Sequence, residues 1–86
     1  MKIIEKPIEV VAWITKEGLL NPVRFRMTDA EETKIIKINR VLQRDRYKID
    51  GKEVMILRCQ SEIEGTQKSF ELKFEITSCK WKLYKI

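Results

Sequence analysis

From Ser69 to Ile76 apolar and polar side chains alternate without a fault: Phe70, Leu72, Phe74 and Ile76 on one side, Ser69, Glu71, Lys73 and Glu75 on the other. A period of two belongs to a β-strand, where successive side chains point to opposite faces, and one dry face beside one wet face describes a strand lying on a core. The pattern continues beyond a weak turn signal at Thr77-Ser78, with Cys79, Trp81 and Leu83 inward and Lys80, Lys82 and Tyr84 outward. Paired as a hairpin, these runs place Lys80 and Lys82 within reach of Glu71 and Glu75, and Glu71 and Glu75 read as the wet face of their strand.

The three glycines punctuate further runs rich in β-branched and aromatic residues. Asp50-Gly51 has the chemistry of a two-residue type I′ turn and joins Arg44–Ile49 to Lys52–Ile63; Glu64-Gly65 and Glu17-Gly18 mark the neighbouring turns. Upstream, Leu19, Val23, Phe25 and Met27 share one parity, and Leu20, Pro22, Arg24 and Arg26 share the other. Ile8 to Thr15 is apolar on both parities, which suits a strand covered on both sides or one with an exposed aromatic. Trp81 is read as core; Trp13, whose parity partners Glu9 and Thr15 are polar, is also read as core, with exposure the alternative.

Thr28 to Gln43 is ambiguous. Thr28-Asp29-Ala30-Glu31 matches a capping box, and Ile35, Ile38 and Leu42 suit one helix face. Against that, Thr33 to Val41 is dense in β-branched residues, so the preferred reading is a loop at Thr28–Glu32 followed by a strand. The fold expected is all-β: one small domain over residues 1–86, an antiparallel barrel or strongly bent sheet of five to six strands, SH3-like or OB-like, with one short helix around residues 29–43 as the variant.

The chain has no histidine, which removes Ser-His-Asp and Cys-His catalysis and the commonest transition-metal ligand. Cys59 and Cys79 stand alone, without a C-x-x-C partner, so no metal site and no cofactor is expected. Both are read as small buried hydrophobes, Cys59 sharing its parity with Met55 and Leu57. Glu62 with Glu64, and Asp29 with Glu31 and Glu32, are acidic groups in turns, where nothing shifts a carboxyl toward catalysis. Glu5, Lys6 and Glu9 interrupt what a signal peptide needs as an unbroken apolar stretch, and no apolar run approaches membrane-spanning length, so the chain is expected to be cytoplasmic, off the membrane and reduced.

Composition bears on partners. The net charge is +5, and Lys34, Lys37, Arg40, Arg44, Arg46 and Lys48 are opposed within their span only by Asp45. With Tyr47 among them, they form a candidate surface for single-stranded nucleic acid or an acidic protein, cations meeting phosphates and the ring stacking on a base. Thirteen acidic residues spread through the chain also describe an ordinary solvated surface. The reading is a small non-enzymatic binding module with a basic face. Its alternative is a protein-interaction or homodimerisation module using an exposed edge strand.

Overall fold

The computed structural model describes residues 1–86. Seven antiparallel strands form a single sheet: β1 (Ile3–Ile14), β2 (Leu20–Asp29), β3 (Glu32–Lys37), β4 (Arg40–Ile49), β5 (Lys52–Ile63), β6 (Thr66–Glu75) and β7 (Lys80–Lys85). Their order across the sheet is β3-β2-β1-β7-β6-β5-β4, and no helix is present. None is therefore long and apolar enough to cross a membrane.

The expected hairpins form where their turn chemistry placed them. Asp50 and Gly51 both take positive φ, as do Glu64 and Gly65, which is the backbone sign pattern of a type I′ turn. Each turn feeds a long, unskewed ladder at its mouth, Ile49 opposite Lys52 and Ile63 opposite Thr66.

Three expectations need correction. The short helix around residues 29–43 is absent: β2 runs to Asp29, the chain turns at Ala30-Glu31 with Ala30 at φ 55°, and β3 begins at Glu32. Thr28 and Thr33 instead meet across the two strands with their hydroxyls 3.3 Å apart, so the β-branched content outweighed the capping-box match. The strand number is seven rather than five or six, because the run from Thr33 to Val41 breaks at Ile38-Asn39 without a glycine or proline to announce it. And the sheet is not closed into a barrel: β3 and β4 are its two edges, joined only by that two-residue link.

The link forces curvature. Laid flat, β3 and β4 would be six strand spacings apart, roughly 29 Å at about 4.8 Å each. Lys37 and Arg40 are three residues apart in sequence and reach at most about 11 Å. The sheet must therefore roll up until its edges nearly meet. The Ile38 amide donates to the Val23 carbonyl at 2.9 Å and the Asn39 amide to the Gln60 carbonyl at 2.9 Å, so adjacent residues bond to opposite halves of the sheet. Four of the six strand pairs carry a register shift, which supplies local bending.

One of those shifts changes which residues are core. Val11 pairs with Arg24 and Ala12 with Pro22, leaving Val23 as the extra residue of β2. Parity reverses there: Leu20 and Pro22 point inward before it, Phe25 after it. Inside the rolled sheet Leu20, Phe25, Ile36, Ile38, Leu57, Cys59, Phe70, Leu72 and Leu83 form one cluster. Phe25 of β2 meets Phe70 of β6 edge to face at a centroid distance of 5.5 Å, linking strands from the two halves. Phe74 and Trp81 stack at 4.6 Å on the margin of the cluster, both half-buried.

The alternation of β6 is thus correct in phase, with its centre at Phe70 and Leu72 rather than at Phe74. Phe70→Ala is expected to cost roughly 3–5 kcal/mol of unfolding free energy, the usual range for a buried aromatic. Phe74→Ala, emptying a half-solvated site, is expected to cost roughly 1–2 kcal/mol. Urea denaturation of both variants checks the ranking, and equal losses would contradict the placement of the core.

Candidate functional site

Strand register decides where each cation of the Lys34–Lys48 stretch points. On β3, Lys34 lies opposite Met27 on the core side, while Lys37 lies opposite Arg24 on the outer face. On β4, Arg40 opposite Gln60 and Tyr47 opposite Val54 face outward; Arg44 opposite Leu57, Arg46 opposite Met55 and Lys48 opposite Glu53 have core-side parity. The stretch therefore divides between two edges and two faces, and it is not one patch.

Arg44 departs most from its expected place on an open basic surface. Its Nε donates to the Leu20 carbonyl at 2.8 Å and its Nη2 to Asn21 Oδ1 at 3.0 Å, so the guanidinium crosses from β4 to the start of β2. An arginine fixed by two such bonds closes the opening of the roll and is not free for phosphate. Arg46 is held by Glu53 at 2.9 Å on the surface, an exposed pair of small energetic value. Lys34, Lys37, Arg40 and Lys48 enter no ion pair.

The outer face of β4–β7 gathers chemistry from distant parts of the chain. A cleft of about 360 Å³ has Ile56 in its lining, Tyr47 and Lys48 on the β4 side, and Arg58, Tyr84 and Lys85 opposite. A second depression of about 270 Å³ shares Ile49 and Tyr84 with the first and brings Lys52, Lys73, Lys80 and Lys82 around Glu5 and Glu75. Tyr84 is the extra residue of β7 at a register shift, and its ring lies under two ammonium groups, Lys73 at 4.5 Å and Lys85 at 5.1 Å from the centroid. Tyr47, half exposed, keeps an open ring. Outward parity pointed to Tyr84 in the sequence, while Arg58 was missed although it alternates with Leu57 and Cys59; the bulges that set Tyr84 and Glu5 left no local sign.

Glu71, Glu75 and Glu5 on this face are paired with cations, whereas Asp45, which also lines the cleft, meets only the Gln43 amide at 2.6 Å. Glu71, expected on a wet strand face, is buried beneath Arg58, whose Nη2 stands 2.9 Å away, with Lys85 at 4.0 Å. Lys80 lies directly opposite Glu75, as the hairpin reading allowed, but Lys82 lies opposite Lys73 and turns to Glu5. Glu5 occupies a bulge of β1 at φ 45° and accepts a hydrogen bond from Lys73. That bond, with the charges of Lys73 and Lys82, outweighs desolvation and holds its carboxyl below the ordinary 4.5. The Ser78 hydroxyl bond, then Lys52, Lys80 and Lys82, does the same for Glu75.

The cysteines divide. Cys59 is buried, bonds the Leu57 carbonyl, and burial pushes its thiol up to about 12, the nearby Arg44 charge opposing only in part. Cys79, read as inward, is exposed in the loop before β7 at φ 58°, where the strand alternation no longer applies. Trp13, read as core, is likewise exposed, because it pairs with Asn21 on the face opposite Leu20 and Pro22.

No protein-family model matches the chain, and neither a curated protein nor a solved structure is similar to it.

Two outcomes follow from these environments. Because both depressed carboxyls favour the charged form in the folded state, their contribution is complete above pH 4.5 and is lost as pH falls through their lower folded values. Stability measured by urea titration is expected to fall on that acid limb, and Glu5→Gln to flatten it; an unchanged slope contradicts the Lys73–Glu5–Lys82 assignment. Thiol titration with Ellman's reagent is expected to modify Cys79 quickly in the native protein and Cys59 only after unfolding.

Proposed function

We propose that the chain is a small non-enzymatic binding module whose outer face on β4–β7 receives single-stranded nucleic acid. The observation supporting this reading is the cleft beside Tyr47, which combines an open aromatic ring and an apolar lining residue, Ile56, with cations on both sides. A base stacked on Tyr47 leaves its flanking phosphates near Lys48 on one bank and Lys85 on the other, with Arg40 further along the β4 edge. Stacking tolerates any base, so affinity rather than sequence preference is what such a face provides. Cys59 offers no nucleophile, its thiol being protonated and enclosed.

The alternative, association through an edge strand, is supported by the two uncovered edges, β3 and β4. Sedimentation velocity over a range of concentrations separates it: concentration-dependent assembly favours edge pairing, and a persistent monomer removes the homodimeric form.

Fluorescence anisotropy with a labelled oligothymidylate at low salt tests the leading reading. Tyr47→Ala is expected to weaken binding by about 1–3 kcal/mol, and Lys48→Ala to reduce the slope of log K against log salt by about 1. Absence of binding at low salt, where counterion release favours it most, overturns the reading.

A further inference from the structure

A second surface lies on the outer face of β1, β2 and β3. Register sets two rows of side chains across these strands on the side opposite Phe25. One row is Val11, Arg24 and Lys37; the next is Glu9, Arg26 and Ile35. Trp13, paired with Asn21, extends the face toward the end of β1. Trp13 and Ile35 are each 68% exposed and Val11 51%, an apolar concentration that a folded monomer rarely leaves open without use. Val11 and Ile35 flank a depression of about 280 Å³ whose rim includes Arg24 and Arg26.

The charges on this face are not balanced internally. Arg26 is fixed by Glu9, its Nε donating at 2.8 Å and its Nη2 standing 2.6 Å from the carboxylate. Arg24 and Lys37 are direct cross-strand partners and neither meets a carboxylate. Like charges placed opposite each other on a sheet are destabilising, so this pair stands as an unanswered demand for an anion.

From the juxtaposition of the Arg24–Lys37 pair with exposed Trp13, Val11 and Ile35, we infer that this face docks an acidic segment of another protein: a carboxylate bridges the two cations and a neighbouring bulky apolar side chain fills the depression. The depression itself favours a protein over nucleic acid, since it is flanked by Val11 and Ile35, which give a base no stacking plane, and Trp13 lies outside its lining. The charge decides against a second copy meeting it face to face, since each face would bring Arg24, Arg26 and Lys37 with only Glu9 to offset them. Trp and Arg are the residue types that most often dominate the energetics of protein interfaces. The inference stands apart from the nucleic-acid reading, because it uses different strands and different residues.

The test is anisotropy of a short fluorescein-labelled peptide of alternating aspartate and leucine or phenylalanine, titrated with the full chain at low salt. Saturable binding is expected, weakened about ten-fold or more by Trp13→Ser and by Arg24→Ser, and unchanged by Tyr47→Ala. Lys37→Glu separates binding from folding: pairing with Arg24, it is expected to raise the thermal midpoint while abolishing the peptide complex. Failure of the wild type to bind, or equal affinity for the Lys37→Glu variant, overturns the inference. So does loss of oligothymidylate binding in Arg24→Ser with Tyr47→Ala unaffected, which would assign this face to nucleic acid.

Discussion

Everything in this molecule follows from a link of two residues between strands that lie at opposite edges of one sheet. Ile38 and Asn39 connect β3 to β4 over a distance that a flat seven-stranded sheet would make about three times too long. Rolling the sheet solves the geometry and creates the core in the same act, because it brings Phe25 of β2 against Phe70 of β6. The roll stays open along its seam, and Arg44 spans the gap by donating to the Leu20 carbonyl and the Asn21 side chain. Removing that guanidinium would leave two acceptors to find water, a loss of about 1–3 kcal/mol by the usual cost of orphaned polar groups. A residue that looked like part of a binding surface therefore acts as a structural tie.

Much of the fold was legible because its information is local. The alternation of Phe70, Leu72 and Phe74 fixed the phase of β6, and Asp50-Gly51 fixed the hairpin that pairs Lys48 with Glu53 and Tyr47 with Val54. What escaped was set by register and topology. The bulge at Val23 reverses parity, so Leu20 and Pro22 are core although they alternate with Phe25 in the wrong sense. Cys79 follows its strand pattern in sequence but sits in a loop with left-handed backbone. The Lys34–Lys48 cations are neighbours along the chain, yet a break at Ile38-Asn39 sends two of them to one edge of the sheet and four to the other. Charge density along a sequence becomes charge density on a surface only when the strand faces agree.

Rolling the sheet also leaves two outer faces with different chemistry. On β4–β7 the acids Glu5, Glu71 and Glu75 are each engaged by lysine or arginine, and the open aromatic is Tyr47. On β1–β3 the ring is Trp13, the exposed aliphatics are Val11 and Ile35, and the Arg24–Lys37 pair has no counterion. The proposed nucleic-acid face would act through stacking and phosphate contacts, and the inferred acidic-segment face through an apolar anchor and a carboxylate.

The most direct test of the central constraint is native-state hydrogen exchange at the Ile38 and Asn39 amides. Their bonds to Val23 and Gln60 hold the two halves of the sheet together at the link. If the link clamps the roll, both amides exchange as slowly as the central β5–β6 amides, through global unfolding. Exchange as fast as that of the Gly51 turn amide would contradict the account, because the sheet could then open at that corner without unfolding its core.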